Sequence, residues 1–251
     1  MSPSIWTQCA GASRIRALKL TAWRAVEAQH QVSTRKLVDS LEEQQLLESL
    51  IDAVKPPAPH GARFHYLLST PFRYPPLRHG SRFGTKRDGG LWYGSESLAA
   101  LFAEVAYYRF VFLEGTHADF STLTTWHTVF TVPVRTPRGV DLTRAPFAAH
   151  RAAIASRASY EASQALGAEM RAARVEACRY PSARDPEAGV NVVVFTPKAF
   201  AALRPRTPEV WHCTATRHRV EIVRRDVSGT AVFAFPREAF LIDGRLPAPA
   251  V

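Results

Sequence analysis

Hydrophobic positions along this chain follow two periodicities, and the switch between them suggests where it divides. Residues 17–30 (ALKLTAWRAVEAQH) carry Leu18, Ala22, Ala25 and Val26 at helical intervals and predict a short helix. A longer helix is predicted across RKLVDSLEEQQLLESLIDAVK, with Leu37, Leu41, Leu47, Leu50 and Val54 on one face, Ser33 or Thr34 as its cap, and its end before Pro56. KPPAPHG then reads as a stiff connector. This pattern makes residues 1–58 an N-terminal helical extension and residues 59–251 the main domain. The extension is either a surface for a partner or a homodimer, or a helical pair packed on its own domain.

Beyond the connector, alternation takes over. Residues 63–68 (RFHYLL) predict a strand, residues 124–134 (TTWHTVFTVPV) a long one ending at Pro133, and VDLT at 140–143 a short one. Two Ala-rich stretches, 145–155 and 160–173, read as helices, the second with Leu166, Met170 and Ala173 on one side. Val175 to Cys178 resumes a strand, the chain turns at Tyr180-Pro181-Ser182, and GVNVVVF from Gly189 is a continuous apolar strand, the signature of burial on both faces. Residues 210–215, 219–225 and 230–235 alternate and form three antiparallel strands. The class is α+β: a mixed or antiparallel sheet core with flanking helices and the N-terminal helical extension.

One stretch departs from simple patterning. In SRFGTKRDGGLWYGSESLAALFAEVAYY, residues 81–108, a glycine loop bearing Arg82 leads through a short apolar strand into an amphipathic helix. Leu98, Leu101, Phe102, Val105 and Tyr108 make its inward stripe, and Glu104 stands inside that stripe. A carboxylate so placed must find donors or take up a proton. The long irregular segment from Ser69 to Gly90 is of the kind that carries function, and Arg-Phe-Gly at its middle lets backbone and guanidinium approach a phosphate together.

Composition narrows the class. With 251 residues, 46% of them apolar, the chain can build a real core. Its net charge of +10 is spread along the whole length, whereas a nucleic-acid arm would concentrate it. Cys9, Cys178 and Cys213 are an odd, scattered set, which fits reduced thiols and a cytoplasmic home. No apolar run approaches the ~20 residues of a membrane span, and the N-terminus lacks the pattern of a signal peptide. No metal site is expected, because His212 and Cys213 are adjacent and point to opposite faces of a strand. Phosphate-binding P-loops, dinucleotide-binding glycine fingerprints and G-x-S-x-G are absent.

The residues themselves suggest a cleft. Two guanidiniums suit a pyrophosphate, a Tyr face suits a flat heterocycle, and a glutamate facing a sugar stabilises positive charge when a C1′–N bond breaks. Together these fit NAD as substrate, with no separate cofactor. The spacing also resembles the RES-domain family, toxins of bacterial RES–Xre toxin–antitoxin pairs. Arg82 in SRFG, Tyr93 in LWYGS and Glu104 match its Arg, Tyr and Glu signature. Arg63 in ARFHYL sits where that family has its first Arg, and Ser182 in RYPSARDPEAGVNVVVF resembles its Ser, followed by a strand bearing Asn191. Ser81, Phe83 and Gly84 replace the rest of the family's Gly-Arg-Trp-Asn core.

The resemblance implies a fold similar to ADP-ribosyltransferase toxins and an activity that hydrolyses or phosphorolyses NAD or transfers its ADP-ribose to a protein acceptor. It implies Arg63 and Arg82 on the phosphates, Tyr93 against nicotinamide, Glu104 at the ribose, and Ser182 and Asn191 as further substrate contacts. It also implies an Xre-type antitoxin as partner, with nucleic acid reached only through that antitoxin. Two other classes stay open on the residues alone. One is a basic nucleic-acid-binding protein or nuclease using the same arginines, and the other a non-catalytic interaction module.

Overall fold

The structure, a computed structural model, describes residues 3–28, 37–54, 56, 63–74, 80–118, 121–227 and 229–247. The chain opens with one turn, α1 (Ile5–Gln8), capped by Ser4, whose hydroxyl accepts from the Thr7 amide. There follows β1 (Arg16–Glu27), a strand where the sequence pattern predicts a helix. Leu18, Leu20, Ala22 and Val26 pack into one hydrophobic cluster while Trp23 and Ala25 pack into another, so the true period is two. Alanine's helical preference loses to the pairing partner that a distant strand supplies. The sheet thus takes in residues on both sides of position 58, and the N-terminal segment is not a purely helical extension.

The second predicted helix is present as α2 (Leu41–Val54), ending before Pro56. Its cap is Ser40 in a reciprocal box with Glu43: Ser40 Oγ accepts from the Glu43 amide at 3.0 Å, and the Glu43 carboxylate accepts from the Ser40 amide at 3.3 Å. Ser33, Thr34 and all of the connector except Lys55's neighbour Pro56 lie outside the described residues. A second correction falls on residues 63–68. They run into a helix, α3 (Tyr66–Arg73), because the His65 ring caps it by accepting from the Leu67 amide at 3.3 Å, and Leu68 is buried beneath it.

Next come β2 (Trp92–Ser95) and α4 (Leu98–Gly115), the latter capped by Ser97. Helix α4 is buried on most sides through Ala100, Phe102, Ala103, Ala106, Tyr107 and Phe110, whereas Tyr108 of the expected inward stripe is 55% exposed. Strand β3 (Leu123–Asp141) runs straight through Pro133 and absorbs the short strand expected at 140–143. Pro137 falls in the register shift of the β1–β3 ladder, between Leu18↔Thr136 and Arg16↔Gly139, the irregular site where a missing N–H is tolerated. The predicted helices at 145–155 and 160–173 become α5 (Arg151–Ile154), entered through a 3-10 turn, and α6 (Glu161–Ala172). Strands β4 (Ala177–Pro181), β5 (Val190–Val194), β6 (Arg206–Ala215), β7 (Arg219–Asp226) and β8 (Gly229–Pro236) complete the chain.

These strands form one mixed sheet in the order β1-β2-β5-β4-β3-β6-β7-β8, and β1 also pairs with β3. The pairings β1–β2–β5–β4–β3–β1 therefore close a ring, filled by Ala22, Trp92, Phe130, Val132, Val192 and Val194. Only β3–β4 is parallel; β6, β7 and β8 extend the sheet as an antiparallel meander. α4 crosses that meander, with Phe102 against Trp211 and Phe233 at centroid distances of 4.7 and 5.0 Å. α5 and α6 cover the opposite end around Phe83, Leu142, Phe147 and Met170. Each fully buried aromatic of this kind contributes about 1.5–3 kcal/mol through surface removed from water. Among the described residues no helix is long and apolar enough to cross a membrane.

Candidate active site

The closed ring leaves a cleft of about 560 Å³ between α4 and the edge formed by β1, β2 and β5. That volume is in the range of small-molecule sites. Glu104, Arg82, Tyr93 and Asn191 all line it, although they come from four separate elements.

Glu104 is held by two side-chain donors. Its Oε1 accepts from Asn191 Nδ2 at 2.7 Å and from Ser182 Oγ at 3.0 Å. Asn191 is oriented in turn: a carboxylate only accepts, so the amide must turn its Nδ2 toward Glu104, and its Oδ1 accepts from Ser95 Oγ at 2.7 Å. Ser95 and Asn191 are register partners on β2 and β5, so the sheet itself builds this chain of donors. Both bonds fall on Oε1, leaving Oε2 for a ligand. The buried helix stripe that raised the question of donors for Glu104 thus finds them across the sheet.

Ser182 is buried and is also a turn residue: its Oγ accepts from the amides of Arg184 and Asp185, each at 3.1 Å. Its single hydroxyl proton goes to Glu104. It stands behind the carboxylate and does not line the cleft.

Arg82 and Tyr93 are fixed by a tight turn. The Ser81 amide donates to the Gly84 carbonyl at 2.7 Å and the Gly84 amide returns a bond at 3.3 Å, with Arg82 and Phe83 at the tip. Phe83 is fully buried and meets Tyr180 edge to face, at 4.8 Å, which anchors the turn. α6 can press on it only because residue 167 is glycine, whose added Cβ would lie 2.2 Å from the Phe83 carbonyl oxygen. The Tyr93 hydroxyl contacts Ser81 Oγ at 2.8 Å and accepts from the Phe83 amide at 3.1 Å. Burial pushes its pKa up to about 12, against the opposing pull of those bonds. Arg82 is 7% exposed, donates to the carbonyls of Ile154 and Ser156 at 3.2 and 3.0 Å, and lies 4.9 Å from the Tyr160 ring centre.

Arg63 is placed differently. It is exposed ahead of α3 and is not among the residues lining the cleft, because the segment that carries it enters a helix instead of a sheet strand. The cleft is lined instead by Arg24 on β1, which the helical reading of residues 17–30 hid. Arg24 donates to the Tyr93 carbonyl at 2.6 Å and its guanidinium lies 5.2 Å from the Trp92 ring centre. Burial draws its pKa down to about 10. Arg109, His127 and Glu27 form the far wall of the same cleft, and Tyr108 and Tyr160 its aromatic sides. Arg109 carried a readable signal, since it falls one helical turn after Val105, a member of the expected inward stripe; Arg24 became readable only with its pairing partner.

The cleft thus brings together two carboxylates, Glu27 and Glu104, three guanidiniums and four tyrosines, a lining suited to a polar small molecule. The RES domain family matches residues 56–216, and the chain belongs to that family. The matched span omits β1 and hence Arg24. No curated protein is similar enough to match. Among solved structures, the crystal structure of the M. tuberculosis MbcT-MbcA toxin-antitoxin complex is similar, with 15% sequence identity and a TM-score of 0.49, over 86% of this chain and 94% of that chain.

Proposed function

We propose that this chain is a RES-type toxin that consumes NAD by breaking the bond between nicotinamide and ribose, and that an Xre-type antitoxin neutralises it by covering the cleft. The observation that carries the reading is Glu104, held by Asn191 and Ser182 so that one oxygen is occupied and the other is available. On this reading the pyrophosphate lies against Arg82 and Arg24, whose guanidiniums supply forked, charge-assisted donors. Nicotinamide packs beside the Tyr93 ring, whose hydroxyl is engaged by the turn.

The C1′–N bond breaks with its electron pair moving to the pyridinium, which leaves as neutral nicotinamide. Positive charge develops on the ribose, and the fixed Glu104 carboxylate stabilises it without having to reorganise. The acceptor oxygen then bonds to C1′ and loses its proton to solvent. Water, phosphate or a protein side chain could each serve as acceptor. Incubating the purified chain with NAD and resolving the products by mass tests the proposal. Nicotinamide together with ADP-ribose, its phosphate ester or an ADP-ribosylated protein is the expected result; unchanged NAD with folded protein refutes it.

A further inference from the structure

The cleft continues past Glu104 toward a second set of groups. On α4, Glu104, Tyr108, Arg109 and Phe112 all line it, so it follows the helix for about 12 Å at 1.5 Å per residue. The opposite wall is β1, where Arg24 lies near the catalytic end and Glu27 at the far end, across from its register partner His127 on β3.

At that far end the groups are fixed relative to each other. Arg109 donates to Glu27 Oε2 at 2.6 Å and through the same nitrogen contacts His127 Nε2 at 3.2 Å. A guanidinium has no acceptor, so His127 Nε2 must accept and the ring proton sits on Nδ1. Burial and the neighbouring Arg109 draw the His127 pKa down to about 4, so the imidazole stays neutral and Arg109 keeps its place between it and Glu27. The Glu27 side chain is 56% exposed and the Arg109 side chain 16%. Tyr108 and Phe112, one turn apart and about half exposed, set two aromatic faces beside them.

We infer that the Arg109–Glu27 pair is the adenine-reading end of the cleft. Adenine presents a ring-nitrogen acceptor next to an amino donor on one edge, which matches a guanidinium donor next to a carboxylate acceptor. Tyr108 and Phe112 supply flat surfaces for the base. Because Glu27 already neutralises Arg109, this end suits an uncharged heterocycle better than a further phosphate. The inference rests on the NAD reading and extends it to the base farthest from the reacting bond.

On the edge that carries N7 beside the amino group, nicotinamide hypoxanthine dinucleotide keeps the ring acceptor and replaces the amino donor by a carbonyl, which would face the Glu27 carboxylate. The expected result with the full chain is a kcat/KM for NAD about tenfold or more above that for the hypoxanthine analogue, carried by KM. Glu27→Gln, whose amide can turn its N–H toward the carbonyl, should bring the ratio close to one. A ratio near one in the unaltered protein, or one that Glu27→Gln leaves unchanged, overturns the inference while leaving NAD cleavage standing. If neither dinucleotide releases nicotinamide, the cleavage proposal is what fails. Calorimetric binding of AMP against IMP to the two proteins then decides the base question separately: preference for AMP that Glu27→Gln abolishes supports it, and equal binding overturns it.

Discussion

Asn191 Nδ2 lies 2.7 Å from Glu104 Oε1, and the bond crosses from β5 to α4 between residues 87 positions apart. It is the middle of a relay, Ser95 to Asn191 to Glu104, that transfers the rigidity of a paired strand to a carboxylate on a helix.

Glu104→Gln keeps the side-chain shape and removes the charge. Nicotinamide release should fall by about a hundredfold or more, the scale of a lost electrostatic stabiliser, while circular dichroism and melting stay close to those of the parent. Undiminished turnover in the folded variant would remove Glu104 from the chemistry.

Asn191→Ala should act through position. Loss of the amide frees Glu104 and leaves Ser95 Oγ without its acceptor, so kcat should drop by about tenfold with KM little altered, and stability should fall by about 1–3 kcal/mol. Steady-state kinetics with urea unfolding separates the two effects, and an unchanged kcat would show that the relay does not orient the reacting carboxylate.

Arg82→Ala and Arg63→Ala form a matched pair. The first removes a cleft-lining guanidinium and should raise the apparent KM for NAD about tenfold or more; the second alters an exposed residue outside the cleft and should change little. If Arg63→Ala were the variant to lose affinity, the phosphates would lie elsewhere than assigned.

His127 sets a pH window. Its imidazole resists protonation in the folded protein down to about pH 4, whereas in the unfolded chain it charges near its ordinary 6.5. The unfolded state therefore binds the extra proton between these limits, and stability present above pH 6.5 is lost as pH falls toward 4, by on the order of 3 kcal/mol. His127→Gln, which can still accept from Arg109, should flatten that part of the profile. Parallel curves for parent and variant in urea titrations from pH 4.5 to 7 would exclude this residue as the cause.

How legible the molecule was depends on where each segment finds its partner. β6, β7 and β8 follow one another in sequence and pair with their neighbours, so alternation alone located them. β5 betrayed itself as an apolar run, VNVVV, interrupted by Asn191 alone. β1 did not: ALKLTAWRAV satisfies both periodicities, and what decides between them is a ladder to β3 more than a hundred residues away. The same distance concealed Arg24. α3 was missed because a capping His and a leucine pair look like alternation over six residues. Arg82, Tyr93, Glu104 and Asn191 were readable as a set through their family spacing, and they do share one cleft. That Ser182 stands behind Glu104 instead of facing a ligand is a matter of which hydrogen goes where, which spacing does not encode.

The ring closed by β1 sets a limit on shortening this protein. A chain begun at residue 56, where the family match starts, would lose the stave that seals the barrel, laying bare the flank of β3 and the Trp92 side of the interior at once. Such a fragment should aggregate instead of refolding, and adding a peptide of residues 14–28 in trans should restore solubility if that stave is what it lacks.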